Sequence, residues 1–240
     1  MVLELVDLLN GIFSLIFVVI STLVGLITAA KYFKTKNRIL LLVGVSWILI
    51  VCPWWPSATS AFIALATGEG LELRMYLLLG NLFVPLFLIL FIGAFTEIYF
   101  HEKQKIFLLI FAIIGIIVEI YLIYFVIVDP KVLGELHGIV DIEFKGFWRY
   151  YLIFDILIVL IIGIAIAVNS LKSEDKVIKL RGKFLLAAFI SWTLGAIFDA
   201  SVELDLITLP LIRILLISSA IEFYIGFVMP DLVKNRFIRE

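Results

Sequence analysis

Five polar residues that are costly to place in lipid lie within long apolar runs of this sequence. They are Arg213, Asp199, Asp155, Glu119 and Asn81. Charged side chains inside membrane spans usually face a bundle interior or a water-filled cavity. A buried arginine stays protonated and has five N–H donors, so it requires carboxylates or carbonyl oxygens nearby. The chemistry open to this set is ion pairing, ligand binding or proton transfer.

The apolar runs that carry these residues are long enough to cross a membrane. Of the 240 residues, 64% are hydrophobic and 16% are charged, and the mean hydropathy is +1.20. A helix crosses the hydrocarbon core with about 20 apolar residues. We therefore predict an all-α integral membrane protein, with residues 1–240 forming a single seven-helix transmembrane domain. The predicted spans are residues 8–30, 37–56, 75–100, 106–128, 150–170, 184–203 and 207–229.

Prolines interrupt two of these spans. Pro53 and Pro56 end the second span within "CPWWP", and Pro85 lies inside the third, where we expect a kink. The connections 53–74 and 129–149 are long enough for a short helix lying on the membrane surface. Aromatic residues near them are typical interfacial anchors, although "CPWWP" would also suit a cap over a ligand pocket. These aromatics are Trp54, Trp55, Trp148, Tyr150 and Tyr151.

The basic residues predict the orientation of the bundle. Of the 19 Lys and Arg residues, 14 lie on the side of the bundle opposite to the N-terminus, and four lie on the same side as the N-terminus. Positively charged loops stay in the cytoplasm. We therefore expect the N-terminus outside and the C-terminus inside, with all five polar residues in the outer half.

The sixth and seventh spans are joined by the short connection "ELDL", which makes them antiparallel neighbours. Asp199 is then the expected partner of Arg213, and Glu203 and Asp205 compete with it from the interface. Asp199 belongs to a stripe of spacing four, which places its members on one helix face. The stripe is Ser191, Gly195, Asp199 and Glu203. The opposite face, with Leu185, Phe189 and Ile197, is expected to meet lipid.

A second polar group lies deeper in the seventh span. Glu222 is about 13 Å further along the helix than Arg213 and shares its face with Ser218 and Ser219. We interpret these three residues as an inner polar cluster of the kind that packs helices together.

Three interpretations of the outer polar residues remain open: a structural network, a site for a small ligand or ion, and a proton pathway. One arginine needs one or two carboxylates. With Asp199 paired, Glu119 or Asp155 is left without a counter-charge and must be protonated, hydrated or facing a ligand.

Several classes of function are excluded or disfavoured. Cys52 is the only cysteine, and His101 and His137 lie in predicted loops, so we expect no metal site, no cofactor and no nucleophile–base pair of an enzyme. The seventh span has no lysine, which excludes retinal held as a Schiff base. The net charge of −1 gives no reason to expect a nucleic-acid partner.

The end of the chain, "FYIGFVMPDLVKNRF", resembles the end of the seven-transmembrane N-terminal sensor module of microbial histidine kinases. The resemblance implies a sensing bundle that passes a signal to a cytoplasmic domain, and it assigns no residue a role. Because the sequence stops at Glu240 without a kinase domain, we expect the output to pass to a separate cytoplasmic protein.

Together these features predict a receptor-like sensor or binding bundle in a prokaryotic cell membrane, surrounded by lipid and binding a small anionic or polar ligand from outside. The alternative is a small-solute or proton-coupled transporter that uses the same acids. A polar path from Asp199 to Glu222 would favour transport, and a site closed at its base would favour sensing or a structural role.

Overall fold

The computed structural model describes residues 4–202 and 204–238, which form ten α-helices and one β-hairpin. The helices are α1 (Leu5–Thr35), α2 (Arg38–Leu49), α3 (Trp55–Thr67), α4 (Leu73–Asn81), α5 (Val84–Tyr99), α6 (Gln104–Val128), α7 (Gly146–Leu171), α8 (Lys176–Ser201), α9 (Thr208–Val228) and α10 (Asp231–Phe237). The hairpin strands, between α6 and α7, are β1 (Gly134–His137) and β2 (Asp141–Phe144).

Seven helical segments of the described chain are long and apolar enough to cross a membrane, as the sequence predicts, so this is a multi-pass membrane protein. Two of them combine two helices each: α2 with α3 over Arg38–Thr67, and α4 with α5 over Leu73–Tyr99. The second segment therefore continues about a dozen residues beyond its predicted end at residue 56. The remaining five segments are α1, α6 with the turn before it, α7, α8 and α9.

Prolines mark both interruptions. A short 3-10 turn, Cys52–Trp54, joins α2 to α3 and contains Pro53. Pro85 lies in the first turn of α5, after α4 has ended at Asn81. A proline is tolerated in the first turn of a helix, where its missing N–H is not needed. The expected kink is therefore a break between two helices.

The connection 129–149, which is long enough for a short surface helix, holds the β-hairpin instead. Gly134 pairs with Phe144, and His137 pairs with Asp141. The turn contains Gly138 with φ +70°, a conformation that suits glycine. A side chain at Gly138 would meet the Asp7 carboxyl, so the hairpin lies beside the start of α1. We call this side of the bundle the hairpin end, and the opposite side, with the start of α8, the basic end.

Close helix contacts hold the bundle together. Helix α1 packs on α2 and α9, α2 packs on α5, and α8 packs on α7 and α9. At the α1–α2 contact, a Cβ on Gly44 would lie 2.5 Å from the backbone nitrogen of Ala29. Small residues allow such an approach, which matters in lipid because no hydrophobic force draws the helices together. Helix α6 is peripheral: 17% of its apolar window is buried, against 39–61% in the other segments.

Candidate functional site

Arg213 joins α9 to two other helices through a buried polar network. Its side chain is 1% exposed. The Nη1 atom lies 2.7 Å from Asp199 Oδ1 on α8, so the ion pair expected from the short α8–α9 connection is present. The Nη2 atom donates a hydrogen bond of 2.7 Å to Asn10 Oδ1 on α1. The Ser14 hydroxyl also donates to that oxygen, at 3.2 Å. Arg213 is thus held in place by the helices on both sides of α9.

Asp199 is held from a second direction by the turn between α2 and α3. Trp54 Nε1 donates to Asp199 Oδ2 at 2.8 Å. The α8–α9 contact that aligns the pair is tight, because a Cβ on Gly195 would lie 2.7 Å from the Leu216 side chain. Asp199 Oδ2 therefore accepts a hydrogen bond, Oδ1 lies in the ion pair with Arg213, and the network spans four segments of the chain.

Two other acids, Asp205 and Glu203, were expected to compete with Asp199 for Arg213. Asp205 begins α9, where its Oδ1 accepts from the backbone N–H groups of Ile207 at 2.8 Å and Thr208 at 2.7 Å. These hydrogen bonds hold the pKa of Asp205 below its ordinary value. Glu203 lies outside the residues that the structure describes.

Beside the network is a cavity of about 220 Å³. Arg213, Asp199 and Trp54 form part of its wall, and the exposed lining residues Arg149 and Ala200 lie at the hairpin end. The cavity therefore opens at that end. Most of the remaining wall is apolar, as is usual for sites that bind small molecules. The apolar wall includes Ile50, Val84, Phe87, Leu152 and Ile156; Trp192 adds an aromatic ring, whose buried Nε1 has no hydrogen-bond partner among the described residues.

Asp155 lines the same cavity from α7 and is 2% exposed. Neither of its carboxyl oxygens has a hydrogen-bond partner among the described residues. Tyr151, one turn earlier on α7, lies near the carboxyl without reaching hydrogen-bonding geometry. A buried carboxylate without a partner typically lowers the stability of the folded state by ~3–5 kcal/mol. Asp155 is therefore the least satisfied acid of the cavity wall.

A third acid reaches the cavity from the hairpin. Asp141, in β2, is half-buried, and its Oδ1 accepts from the N–H of Ile142 at 2.9 Å. Burial, and then the nearby negative charge of Asp199, raise the pKa of Asp141 to about 6.

The hairpin itself is fixed by two hydrogen bonds. The Tyr76 hydroxyl donates to the Val140 carbonyl at 2.7 Å, and Ser60 donates to the Ile139 carbonyl at 2.5 Å. These bonds tie the turn of the hairpin to α3 and α4, so Asp141 has a defined position over the cavity.

Two predicted site residues lie elsewhere. Asn81 Oδ1 accepts from Trp148 Nε1 at 3.0 Å, and its Nδ2 donates to the Leu77 carbonyl, so Asn81 ties α4 to α7 and does not line the cavity. Glu119 lies on the peripheral α6, also outside the cavity wall; its Oε1 is buried and has no hydrogen-bond partner among the described residues. The structure brings Arg213, Asp199 and Asp155 to one cavity and leaves Asn81 and Glu119 outside it.

The inner polar cluster does not connect to the cavity. The hydroxyls of Ser218 and Ser219 donate to carbonyls of their own helix, at 2.9 and 2.6 Å. Glu222 does not line the cavity wall.

Aromatic side chains fill the bundle interior on the basic side of the cavity, at the level of Glu222. Trp47 and Phe223 stack with ring centroids 3.6 Å apart, and Phe189 contacts both Phe223 and Phe91. All four are at most 3% exposed. Trp47, Phe91 and Phe189 each lie about one helical turn closer to the basic end than a cavity residue of the same helical segment. Those cavity residues are Ile50, Phe87 and Trp192, respectively. We call Trp47, Phe91, Phe189 and Phe223 the aromatic layer; it closes the base of the cavity.

Several expectations about surfaces are wrong. Trp54, Trp148 and Tyr151 are at most 6% exposed, because the polar tips of the two tryptophans have partners inside the bundle. Tyr150 is 72% exposed. Phe189 and Leu185 were expected to meet lipid but are at most 4% exposed, whereas Ile197 is 36% exposed.

Sequence reasoning missed two residues of the site. Asn10 could have been predicted from a pattern in α1, where small and polar residues recur on one helical face. These buried residues are Asn10, Ser14, Ser21, Gly25 and Thr28. Asp141 could not be found in this way, because it lies in a connection for which the sequence suggests no more than room for a short surface helix.

Comparison of the sequence with models of known protein families gives no match, and comparison with curated proteins gives no relative. A functional conclusion therefore depends on the site itself. The geometry provides a fixed ion pair, two further carboxyls and an apolar wall around a cavity that is open at one end.

Proposed function

We propose that this protein is a receptor-like sensor of a prokaryotic cell membrane that binds a small ligand in the cavity and passes its occupancy to a separate cytoplasmic partner. In this proposal the hairpin end faces outward and the basic end faces the cytoplasm. The distribution of lysine and arginine supports that orientation.

The observation that carries the proposal is the buried carboxyl of Asp155 in the cavity wall, neither oxygen of which has a hydrogen-bond partner among the described residues. A purely structural network would leave few such groups, whereas Arg213, Asp199 and Trp192 also contribute buried polar atoms without hydrogen-bond partners in the described chain to this wall. A carboxyl kept in an apolar wall without a partner is a typical feature of a binding site.

The aromatic layer favours sensing over transport. A transporter needs a path that connects the site with both sides of the membrane, and such paths are lined by polar groups. Here the aromatic layer, with Trp47 stacked on Phe223, fills the interior on the basic side of the cavity, at the level of Glu222.

Features of the basic end are consistent with output through a partner. Helix α10 exposes Leu232 (82%) and Phe237 (63%), and Phe237 lies beside Lys176, Lys179 and Lys183 at the start of α8. This helix belongs to the stretch that resembles the end of the histidine-kinase sensor module, and the surface would suit anionic lipid or a soluble signalling protein.

Ligand binding can be tested with purified protein in lipid nanodiscs. The probes are small amphipathic compounds that share a phenyl body: 2-phenylethylamine, 3-phenylpropionate and 2-phenylethanol, with close analogues of each. At least one should raise the unfolding temperature of the wild type. The effect should disappear in Ala200→Trp, which fills the cavity mouth, and persist in Ala30→Trp, which changes an exposed residue of α1. Equal effects in Ala200→Trp, or none in any protein, would exclude the proposed site.

Sensing and transport differ in the accessibility of the inner half. Ala200→Cys and Ser218→Cys would be treated with a membrane-impermeant maleimide in sealed proteoliposomes, against a background in which Cys52 is fully buried. We expect rapid labelling at position 200 from the outside and none at position 218 from either side. Labelling at position 218 would support the transporter alternative.

A further inference from the structure

We propose that the cavity selects an organic ammonium ion with a small apolar body, and that Asp155 is the residue that binds the ammonium group. The inference rests on the proposed function, because it names the chemistry of the ligand for the same cavity. It also replaces the anionic ligand that Arg213 suggests from the sequence.

The charged side chains of the cavity wall favour a cationic ligand. Three carboxyls, Asp141, Asp155 and Asp199, face two arginines, Arg149 and Arg213. Arg213 is already paired with Asp199 at 2.7 Å, and Arg149 is exposed at the start of α7. The charged side chains that remain inside the cavity are therefore two acids. A cation would match an ionised carboxyl at either of them, and it would allow Asp155 to stay ionised in its apolar surroundings.

An anion would meet unfavourable surroundings in the same space. Arg213 does have two atoms without hydrogen-bond partners, Nε and Nη1. To reach them, however, an anionic group would have to come close to the Asp199 carboxylate, whose Oδ1 lies 2.7 Å from Nη1. It would also share a cavity of about 220 Å³ with the unpaired Asp155. Like charges brought together in an apolar environment repel strongly.

The cation is organic and not a metal ion. Among residues 4–202 and 204–238, no three His, Cys, Asp or Glu side chains are placed to hold a metal. Metal sites need several oxygen ligands around one point, whereas Asp155 is surrounded by apolar and aromatic walls. Phe87 and Trp192 belong to these walls, and aromatic faces attract ammonium groups as well as apolar bodies. One carboxylate with such walls suits an amine that carries an alkyl or aryl group.

The test compares three probes of similar shape and different charge: 2-phenylethylamine, 3-phenylpropionate and 2-phenylethanol. Affinities are measured by calorimetry with the protein in nanodiscs at pH 7.5. We expect the amine to bind at least ~10-fold more tightly than the other two, because a charge-assisted hydrogen bond is worth more than a neutral one.

Asp155→Asn should reduce amine affinity by ~10-fold or more and change alcohol affinity by less than ~3-fold, since it removes the charge and keeps the shape. Glu222→Gln is the matched control. It neutralises another half-buried acid in a membrane span, outside the cavity wall, and should leave amine affinity unchanged.

The outcomes separate the two proposals. If 3-phenylpropionate or 2-phenylethanol binds as tightly as the amine, and Ala200→Trp abolishes that binding, the cavity is a ligand site but the cation inference is wrong. The inference also fails if Asp155→Asn leaves amine affinity unchanged. If no probe binds in a manner that Ala200→Trp blocks, the proposed function itself fails.

Discussion

The two halves of the bundle place their polar residues in different ways. Towards the hairpin end, Arg213, Asp199 and Asn10 bond across helices and border a cavity. Towards the basic end, Ser218 and Ser219 bond to carbonyls of their own helix, and aromatic rings fill the space between helices. The same helices thus support a polar opening at one end and a closed apolar layer at the other. Polar bonds across helices mark the hairpin half, and Asp155 adds a cavity-lining carboxyl that has no hydrogen-bond partner among the described residues.

The largest effect that tests this comparison is expected from Arg213→Ala. It leaves the half-buried Asp199 carboxylate without its charged partner, which should lower the free energy of unfolding by about 3 kcal/mol, the lower end of the range for a broken buried pair. Unfolding in mixed micelles measures the change. Arg149→Ala, at an exposed arginine of the cavity mouth, is the control and should have little effect.

The pairing has a sharper test in the double variant. Arg213→Ala combined with Asp199→Asn removes both charges, so part of the lost stability should return. Simple additivity of the two single effects would show that the two side chains do not stabilise each other, and the polar half would lose its central contact.

The aromatic layer should give the next largest effect. Phe223 is fully buried and stacks on Trp47, so Phe223→Ala should leave a void. We expect a loss of roughly 2–3 kcal/mol, less than in a soluble core, because the side chain stays in an apolar solvent when the bundle unfolds in lipid. Phe198→Ala, at a residue that is 44% exposed on α8, should cost much less. Equal losses would mean that the layer is not closely packed.

Some sequence patterns predict this arrangement and others do not. Long apolar runs predict the seven spans, and the short connection before α9 predicts the contact between Asp199 and Arg213. Apolar periodicity does not separate lipid-facing from buried faces, because lipid and the bundle interior are both apolar. Phe189, at the centre of the aromatic layer, was therefore expected in lipid. Asn10 and Asp141 meet the cavity network through contacts between segments that are distant in the sequence.

Asp141 offers a pH-dependent test of the hairpin end. Its pKa is raised from 3.8 to about 6, mainly by burial and then by Asp199, while Arg213 and His137 act in the opposite direction. The folded state then binds the proton more tightly than the unfolded state. This contribution to stability is present below pH 3.8 and is lost as the pH rises through about 6.

Asp141→Asn removes the charge that causes this loss. It should stabilise the protein by about 1–2 kcal/mol at pH 7.5 and by almost nothing near pH 4, since one unit of pKa is worth about 1.4 kcal/mol and the half-buried carboxyl is partly screened. Thermal unfolding at the two pH values measures the difference. Glu69→Gln, at an exposed acid of the same end, should show no such dependence. Equal stabilisation at both pH values would mean that the effect does not come from titration of Asp141.

The smallest effect is expected from Ser218→Ala, and it tests the comparison from the other side. The Ser218 hydroxyl bonds within α9, at 2.9 Å from the Leu215 carbonyl, and such bonds contribute little to helix stability. The substitution should change the free energy of unfolding by less than about 0.5 kcal/mol. Asn10→Ala should cost more than about 1 kcal/mol, because it removes the acceptor of Arg213 on a neighbouring helix. If Ser218→Ala cost as much as Asn10→Ala, polar contacts across helices would extend into the basic half, and the closed base that separates a sensor from a transporter would have to be abandoned.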